Sequence, residues 1–269
     1  MNSTYHNAIQ PLRDQIDRID RELVALLKQR SQVVQQVGHV KQSLHPTACF
    51  IRPAREANMT EAAMGWDAAP FPRAYMALIW RNIINGSLNI EQSITASAHA
   101  PGGRLDYLWL AREYLGAATQ VTPREESRDA LGDVMAGRSM VAVLPMPGPL
   151  ETDGWRDGWW AGLATQPRLR VFATAPLFDM PGIPRALLVG DVEPEPSGRD
   201  ACLLVTTGDG TVEGAEKLTE TTVGSVAHTL WRLERFLPPE ELAGIQALHA
   251  KTGMDIHCIG SYALPLNLK

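Results

Sequence analysis

Residues 12–41 read LRDQIDRIDRELVALLKQRSQVVQQVGHVK, and this stretch decides the fold of the first third of the chain. Leu12, Ile16, Ile19, Leu23 and Leu26, then Arg30, then Val33, Val37 and Val40 recur at alternating steps of four and three. That spacing is an apolar seam on one side of a helix, sustained over about four heptads. After Leu12 no glycine or proline intervenes until Gly38, so the pattern predicts one continuous helix of about 45 Å at 1.5 Å per residue. A rod of this kind cannot bury its seam alone, and a partner is required.

Reading outward, a turn is expected around His45 and Pro46, then a short helix beginning near Pro53 in RPAREANMTEAAM. A loop holding Pro70 and Pro72 leads to a third helix from about Arg73 to Ile94, in which Met76, Ile79, Trp80, Ile83, Ile84 and Leu88 keep the helical period. Nothing up to residue 94 resembles a strand. The run SITASAHAPGGR shifts in composition to small and polar residues and reads as a linker, with a boundary at residues 95–103. Beyond it the pattern alternates. REYLG and Arg124 to Ala136 read as helices. The stretch near Thr119 to Thr122, SMVAVLP, LRVFAT, PRALLVG and DACLLVTT read as strands. Helices are expected at Val223 to Phe236 and Glu240 to Lys251, a last strand at DIHCIGSYAL, and a hairpin turn at the GDG of Gly208 to Gly210. The fold class predicted is therefore multidomain, α and α/β: residues 1–98 form a three-helix all-α domain that makes an intertwined dimer, and residues 103–269 form an α/β domain.

Composition sets the outer limits. At 269 residues with 45% apolar and 20% charged residues, the chain is neither disordered nor collagen-like. Its apolar runs are a few residues long, against the ~20 needed to span a bilayer. The polar start MNSTYHNAIQPLRD has no export pattern, so a cytoplasmic location is expected. Cys49, Cys202 and Cys258 are far apart in sequence and carry no metal-ligand spacing; each reads as a small buried hydrophobe, and no metal or cofactor is expected. Likewise His228, His249 and His257 read as structural, and Trp155, Trp159 and Trp160 as core or interface aromatics. A net charge of -5 argues against nucleic acid as a partner.

One stretch departs from this ordinary balance. Between Glu22 and Glu56 no Asp or Glu occurs, yet Lys28, Arg30, Lys41, Arg52 and Arg55 do, a bias toward holding an anion. Arg30 stands in the seam itself, where a charge must snorkel out, pair with an acid or bind a ligand. Lys41 lies about three turns on, on nearly the same face. Arg13 is too far from Arg30 to share a pocket within one straight helix, but an antiparallel second copy brings it there. The expectation is a homodimer with sites shared between protomers.

LRDQIDRIDRELVALLKQR, VGHVK, RPARE and WRNIINGSLNIEQS, taken together and in this order, resemble the all-helical AroQ class of chorismate mutases over about residues 8–94. The resemblance implies the rearrangement of chorismate to prephenate, with Arg13, Arg30, Lys41, Arg55, Glu56, Ser87 and Glu91 on the substrate-binding positions and Arg13 supplied by the other protomer. Lys41, Glu91 and Arg30 are then the catalytic set. Arginine forks suit the two carboxylates of chorismate. Lys41 faces the ether oxygen where negative charge grows. Glu56 accepts from the ring hydroxyl, or is a helix-start carboxylate favoured by the dipole. Where the chain has Arg52 some members carry Asp, and where it has Glu91 some carry Gln. A glutamate there must be protonated to donate to the ether oxygen.

The remainder bears a looser likeness. Leu110 to Pro147, with MAGRSMVAVLPMPG, looks like a degenerate prephenate dehydratase lobe, and PSGRDACLLVTT resembles the entry to an ACT regulatory domain, for which an amino-acid effector is the candidate ligand. The dehydratase signatures Thr-Arg-Phe and Glu-Asn-Ser are missing, and the stretch from LPMPGP to PRALLVG is too short for a second lobe. Residues 103–269 are accordingly expected to be dispensable for the chemistry. Two alternatives stay open from sequence: an isochorismate pyruvate lyase on a similar helical scaffold, and a noncatalytic regulatory or binding pseudoenzyme.

Overall fold

Apolar residues at steps of three and four do build a single rod: α1 runs Ser3–Leu44, 42 residues and about 63 Å long. A computed structural model describes residues 3–45, 49–148, 158–250 and 253–268 of the chain, with side chains from residue 5 onward. Pro46, Trp155 and Lys251 lie outside the described residues. The seam of α1 stays on the surface of the chain, its eight apolar side chains from Leu12 to Val40 being 43–60% exposed. Two further helices follow. The second, α2 (Pro53–Gly65), starts on a proline whose missing N–H costs nothing at a helix start. The third, α3, spans Arg73–Glu91 and stops three residues before Ile94.

Compactness divides the chain into two units. One contains Met1–Phe50 together with Ser87–Ser93; the other contains Ile51–Gly86 together with Ile94–Lys269. Among the described residues the second unit is built on nine strands: β1 (Thr95–His99), β2 (Gln120–Arg124), β3 (Val141–Pro145), β4 (Arg170–Ala175), β5 (Ala186–Gly190), β6 (Asp200–Thr207), β7 (Glu216–Val223), β8 (Val226–Leu233) and β9 (Asp255–Ala263). They form one sheet in the order β2-β1-β3-β5-β4-β9-β6-β8-β7. Helices α4 (Asp106–Leu115) and α5 (Ser127–Met135) pack against β1, and α6 (Pro239–Ala250) packs against β9. This α-plus-α/β architecture agrees with the expected fold class, and among the described residues no helix is long and apolar enough to cross a membrane.

Three local expectations are corrected. The run read as a linker contains β1, a buried strand hydrogen-bonded to β2 on one side and β3 on the other. Its alanines and serines are small because α4 and α5 both press on it, which leaves no room for larger side chains. The stretch Val223 to Phe236, expected to be helical, holds the end of β7 and all of β8, joined by the two residues Gly224 and Ser225. The GDG motif is not a hairpin, because β6 pairs with β8 and β9 and not with β7. It opens a crossover to β7 that contains no helix. A side chain on Gly208, whose φ is +86°, would stand 2.7 Å from the Gly253 carbonyl oxygen.

Both faces of the C-terminal strands are covered. Leu203, Val205 and Leu230 pack with Trp159 and Trp160 in one cluster; Cys202, Leu204, Trp231 and Leu233 pack with Met254 and Ile256 in another. Pairing of β6 with β9 brings two of the cysteines together. The Cys202 thiol is pushed up by its hydrogen bond with Cys258 and by burial.

The parallel end of the sheet is pinned by one carboxylate. Asp133, 2% exposed, accepts from Arg124 at 2.7 and 3.1 Å, from Arg138 at 2.8 Å and from the Ser97 hydroxyl of β1 at 2.5 Å. Burial pushes this carboxyl up, but the hydrogen bonds from Arg124, Ser97 and Arg138 outweigh it and hold it at about 2, against an ordinary 3.8. A depressed carboxylate stabilises the fold above its unfolded value and loses that contribution as pH falls through the folded one. Asp133→Asn is thus expected to lower Tm at neutral pH, with the gap from the parent closing between about pH 4 and pH 2; a pH series of thermal melts checks this.

Candidate active site

The first unit brings α1 against the last turn of α3. On α1, Arg30 stands in the seam and Lys41 in the final turn; on α3, Ser87 and Glu91 follow each other at i and i+4, on one helix face. Arg30 Nη1 donates to the Ser87 hydroxyl oxygen. Lys41 Nζ donates to Glu91 Oε2 at 2.5 Å, an ion pair in which the carboxylate is 9% exposed and the ammonium 33%. The same ammonium lies 5.2 Å from the centre of the Phe50 ring, close enough for a cation–π attraction. The Phe50 amide in turn donates to Gln92 Oε1 at 3.0 Å. Two cations and one carboxylate therefore gather on a ledge between two helices. Arg30 meets a neutral hydroxyl there, so that contact leaves its charge available to an anion.

The close fit of the two helices rests on Gly38, which sequence reading treats only as an interruption of the pattern. It is buried, and a Cβ at this position would approach Glu91 Cγ to 3.2 Å and Glu91 Cα to 3.3 Å. An isolated glycine inside a periodic helix is the available signal.

The other expected site residues are placed as follows. Arg13 is exposed on α1, seventeen positions before Arg30 and so about 25 Å away along the axis. Arg55 and Glu56 lie on α2, in the second unit. Arg55 is exposed. Glu56 is buried, accepts from the Arg52 amide at 3.0 Å through Oε1 and stands 3.0 Å from Arg81 Nη1 through Oε2. Arg52, whose role sequence leaves open, makes a two-pronged surface contact with Glu195, of the kind worth about 0–1 kcal/mol.

Comparison with known proteins bears on this ledge. Residues 12–92 match the family model described as chorismate mutase type II. The bifunctional chorismate mutase/prephenate dehydratase of Aquifex aeolicus is 26% identical over 147 residues, 53% of this chain and 40% of the relative. That of Stutzerimonas stutzeri is 27% identical over 146 residues, with the same coverage. The aligned part thus spans about 40% of the length of these curated relatives. Among solved structures, a prephenate dehydratase from Streptococcus mutans superposes with a TM-score of 0.47 at 13% identity, covering 64% of this chain and 100% of that one. One from Arthrobacter aurescens gives 0.46 at 16%, covering 64% and 90%.

Gly38→Ala sets two effects against each other. Alanine favours a helix interior over glycine by about 1 kcal/mol, while its methyl group presses on the backbone of Glu91. Because the crowded atoms include Cα and not only a flexible tip, the substitution is expected to lower Tm; a melt showing a rise would mean that the α3 turn recoils freely.

Proposed function

We propose that the chain is a chorismate mutase, converting chorismate to prephenate by an intramolecular pericyclic step that breaks the ether C–O bond as a C–C bond forms, with the cytoplasm as its compartment. The observation that carries this reading is the pairing of Arg30 with Ser87 and of Lys41 with Glu91, residues 57 and 50 positions apart that meet in one compact unit. The family model covers all four. The reaction needs no nucleophile and no cofactor. It needs the substrate folded into a compact chair with both carboxylates held, and a positive, hydrogen-bonding surface at the oxygen that gathers charge.

Arg30, with Arg13 of a second copy and Arg55, holds the carboxylates as guanidinium forks. Ser87 sets the Arg30 guanidinium and lines the same ledge. Lys41 faces the ether oxygen, Glu56 accepts from the ring hydroxyl, and Glu91 donates to the ether oxygen once it carries a proton. The exposed seam of α1 supports the second copy: monomers rarely leave a contiguous apolar face of this length in water. Antiparallel pairing of two such rods closes the distance between Arg13 and Arg30 that a single straight helix keeps open. Residues 103–269 are noncatalytic in this reading, since both dehydratase signatures are missing, and an amino-acid effector is their candidate ligand.

Purified protein given chorismate is expected to accumulate prephenate without phenylpyruvate. Release of pyruvate from isochorismate instead would install the lyase, and turnover of neither would install a noncatalytic role. Arg13→Ala and Arg30→Ala are each expected to abolish most turnover, while mixing the two after subunit exchange restores roughly a quarter of the sites, as a two-fold dimer with random pairing requires. No recovery after verified exchange would end the shared-site reading.

Glu91 makes a separate prediction. In its ion pair with Lys41 it is a carboxylate, and only the neutral acid can donate to the ether oxygen. Glu91→Gln supplies a permanent neutral donor of similar shape and is expected to keep turnover, whereas Glu91→Ala, which has no donor, is expected to lose most of it; equal turnover of the two variants would remove Glu91 from that role.

A further inference from the structure

Arg55 and Glu56 stand on α2 in the second unit, and that unit shows what holds the helix. Two moorings are at the surface: Arg52 with Glu195 at the start of α2, and Glu61 with Arg199 at 3.0 Å one turn beyond Glu56. The third is buried. Glu56 is 4% exposed and Arg81 2%, with Glu56 Oε2 and Arg81 Nη1 3.0 Å apart. Arg81 uses its other edge on α4: Nε donates to the Tyr114 carbonyl at 2.9 Å, and the guanidinium carbon lies 3.8 Å from the centre of the Tyr114 ring. That carbonyl belongs to the last turn of α4, where helix carbonyls lack intrahelical donors. Asn85, one turn after Arg81, donates to it as well at 3.0 Å.

We propose that Arg81 is a positioning residue for the mutase reaction, tying α2 through Glu56 to the end of α4, so that the sheet unit fixes where Arg55 and Glu56 stand. The inference rests on the mutase reading of the site. Its physical content is orientation. An apolar pair would fill the same space at lower cost, because charges taken out of water must repay their desolvation. What an apolar pair would not do is set the direction of the Glu56 carboxylate, whose Oε1 closes on the Arg52 amide and so shapes the first turn of α2, the turn that carries Arg55. The fork matters as much as the charge: Nη1 faces Glu56 while Nε faces Tyr114. A lysine ammonium at the end of a flexible stem does not hold both partners at once. Burial opposes the charge on Arg81, but Tyr114, Glu56 and Glu113 around it outweigh that and keep it cationic.

The test uses the full chain and the variants Arg81→Gln, Arg81→Lys, Glu56→Gln and the double variant Arg81→Gln/Glu56→Gln, with KM and kcat for chorismate and amide hydrogen exchange read on each. Arg81→Gln is expected to raise KM about tenfold or more. Arg81→Lys is expected to recover only part of that loss, and the double variant to be no worse than the poorer single one, because both changes cut the same tie. Amides of α2 lose protection while those of β6 and β9 keep theirs. A lowered Tm with KM within about twofold of the parent, or additive effects in the double variant, would reduce Arg81 to a packing residue and overturn the proposal. If Arg81→Gln does not fold, Arg81→Lys carries the same comparison. Should the parent fail to convert chorismate, the mutase reading is what has failed; the exchange measurement still decides the tie, with retained α2 protection overturning it.

Discussion

A guanidinium and a carboxylate, both nearly without water, stand 3.0 Å apart between α2 and α3. Neither can be left alone there: removing one partner of such a pair typically costs about 3–5 kcal/mol, because the survivor stays charged and buried. The way α2, α3 and α4 meet follows from that obligation. Arg81 must find partners on every side, and it finds them on α2, on the C-terminal carbonyl of α4 and on the ring of Tyr114, whose hydroxyl is itself pushed up to about 12, chiefly by burial. Three helices are thereby locked to one side chain. The helix that carries Arg81 also carries Ser87 and Glu91 about two and three turns on, so one element serves both the buried tie and the ledge on α1.

Much of the fold was legible because burial leaves periodic traces. The seam of α1, the proline that starts α2 and the branched runs of β3, β5 and β6 each state their conformation in a few residues. Two failures have a common physical origin. The second half of β8 is buried on both faces, Leu230 toward one cluster and Trp231 and Leu233 toward the other, while its first half is exposed or half-buried, so the strand lacks the alternation of a half-buried one and is open to a helical reading. β1 is squeezed between helices and uses alanine and serine, a composition that also describes linkers. In both, neighbours distant in sequence choose the conformation that local preference leaves undecided.

The site divides in the same way. Arg30, Lys41, Ser87 and Glu91, which meet on the ledge, could be named from spacing and family resemblance because each is a polar or charged side chain at a fixed interval. Gly38 and Arg81 could not, since each acts through a contact that exists only after the chain folds. Gly38 lets the two helices close by having no side chain where Glu91 passes. Arg81 looks like a surface cation in sequence; the available hint is that it shares a helix face with Ala77, Ile84 and Leu88, all buried, a place where an arginine has to be paired.

The position of β9 has a consequence for biosynthesis. It follows the other eight named strands in sequence, yet it lies inside the sheet, bonded to β4 on one side and β6 on the other, and it meets β4 at Gly260, where any side chain would collide with the Val171 backbone. A polypeptide interrupted anywhere before residue 255 therefore presents two raw strand edges at the middle of its sheet, the surfaces that invite aggregation and capture by quality-control machinery. Only a chain synthesised through residue 263 can close that gap. The two halves of the sheet thus become one layer only through β9.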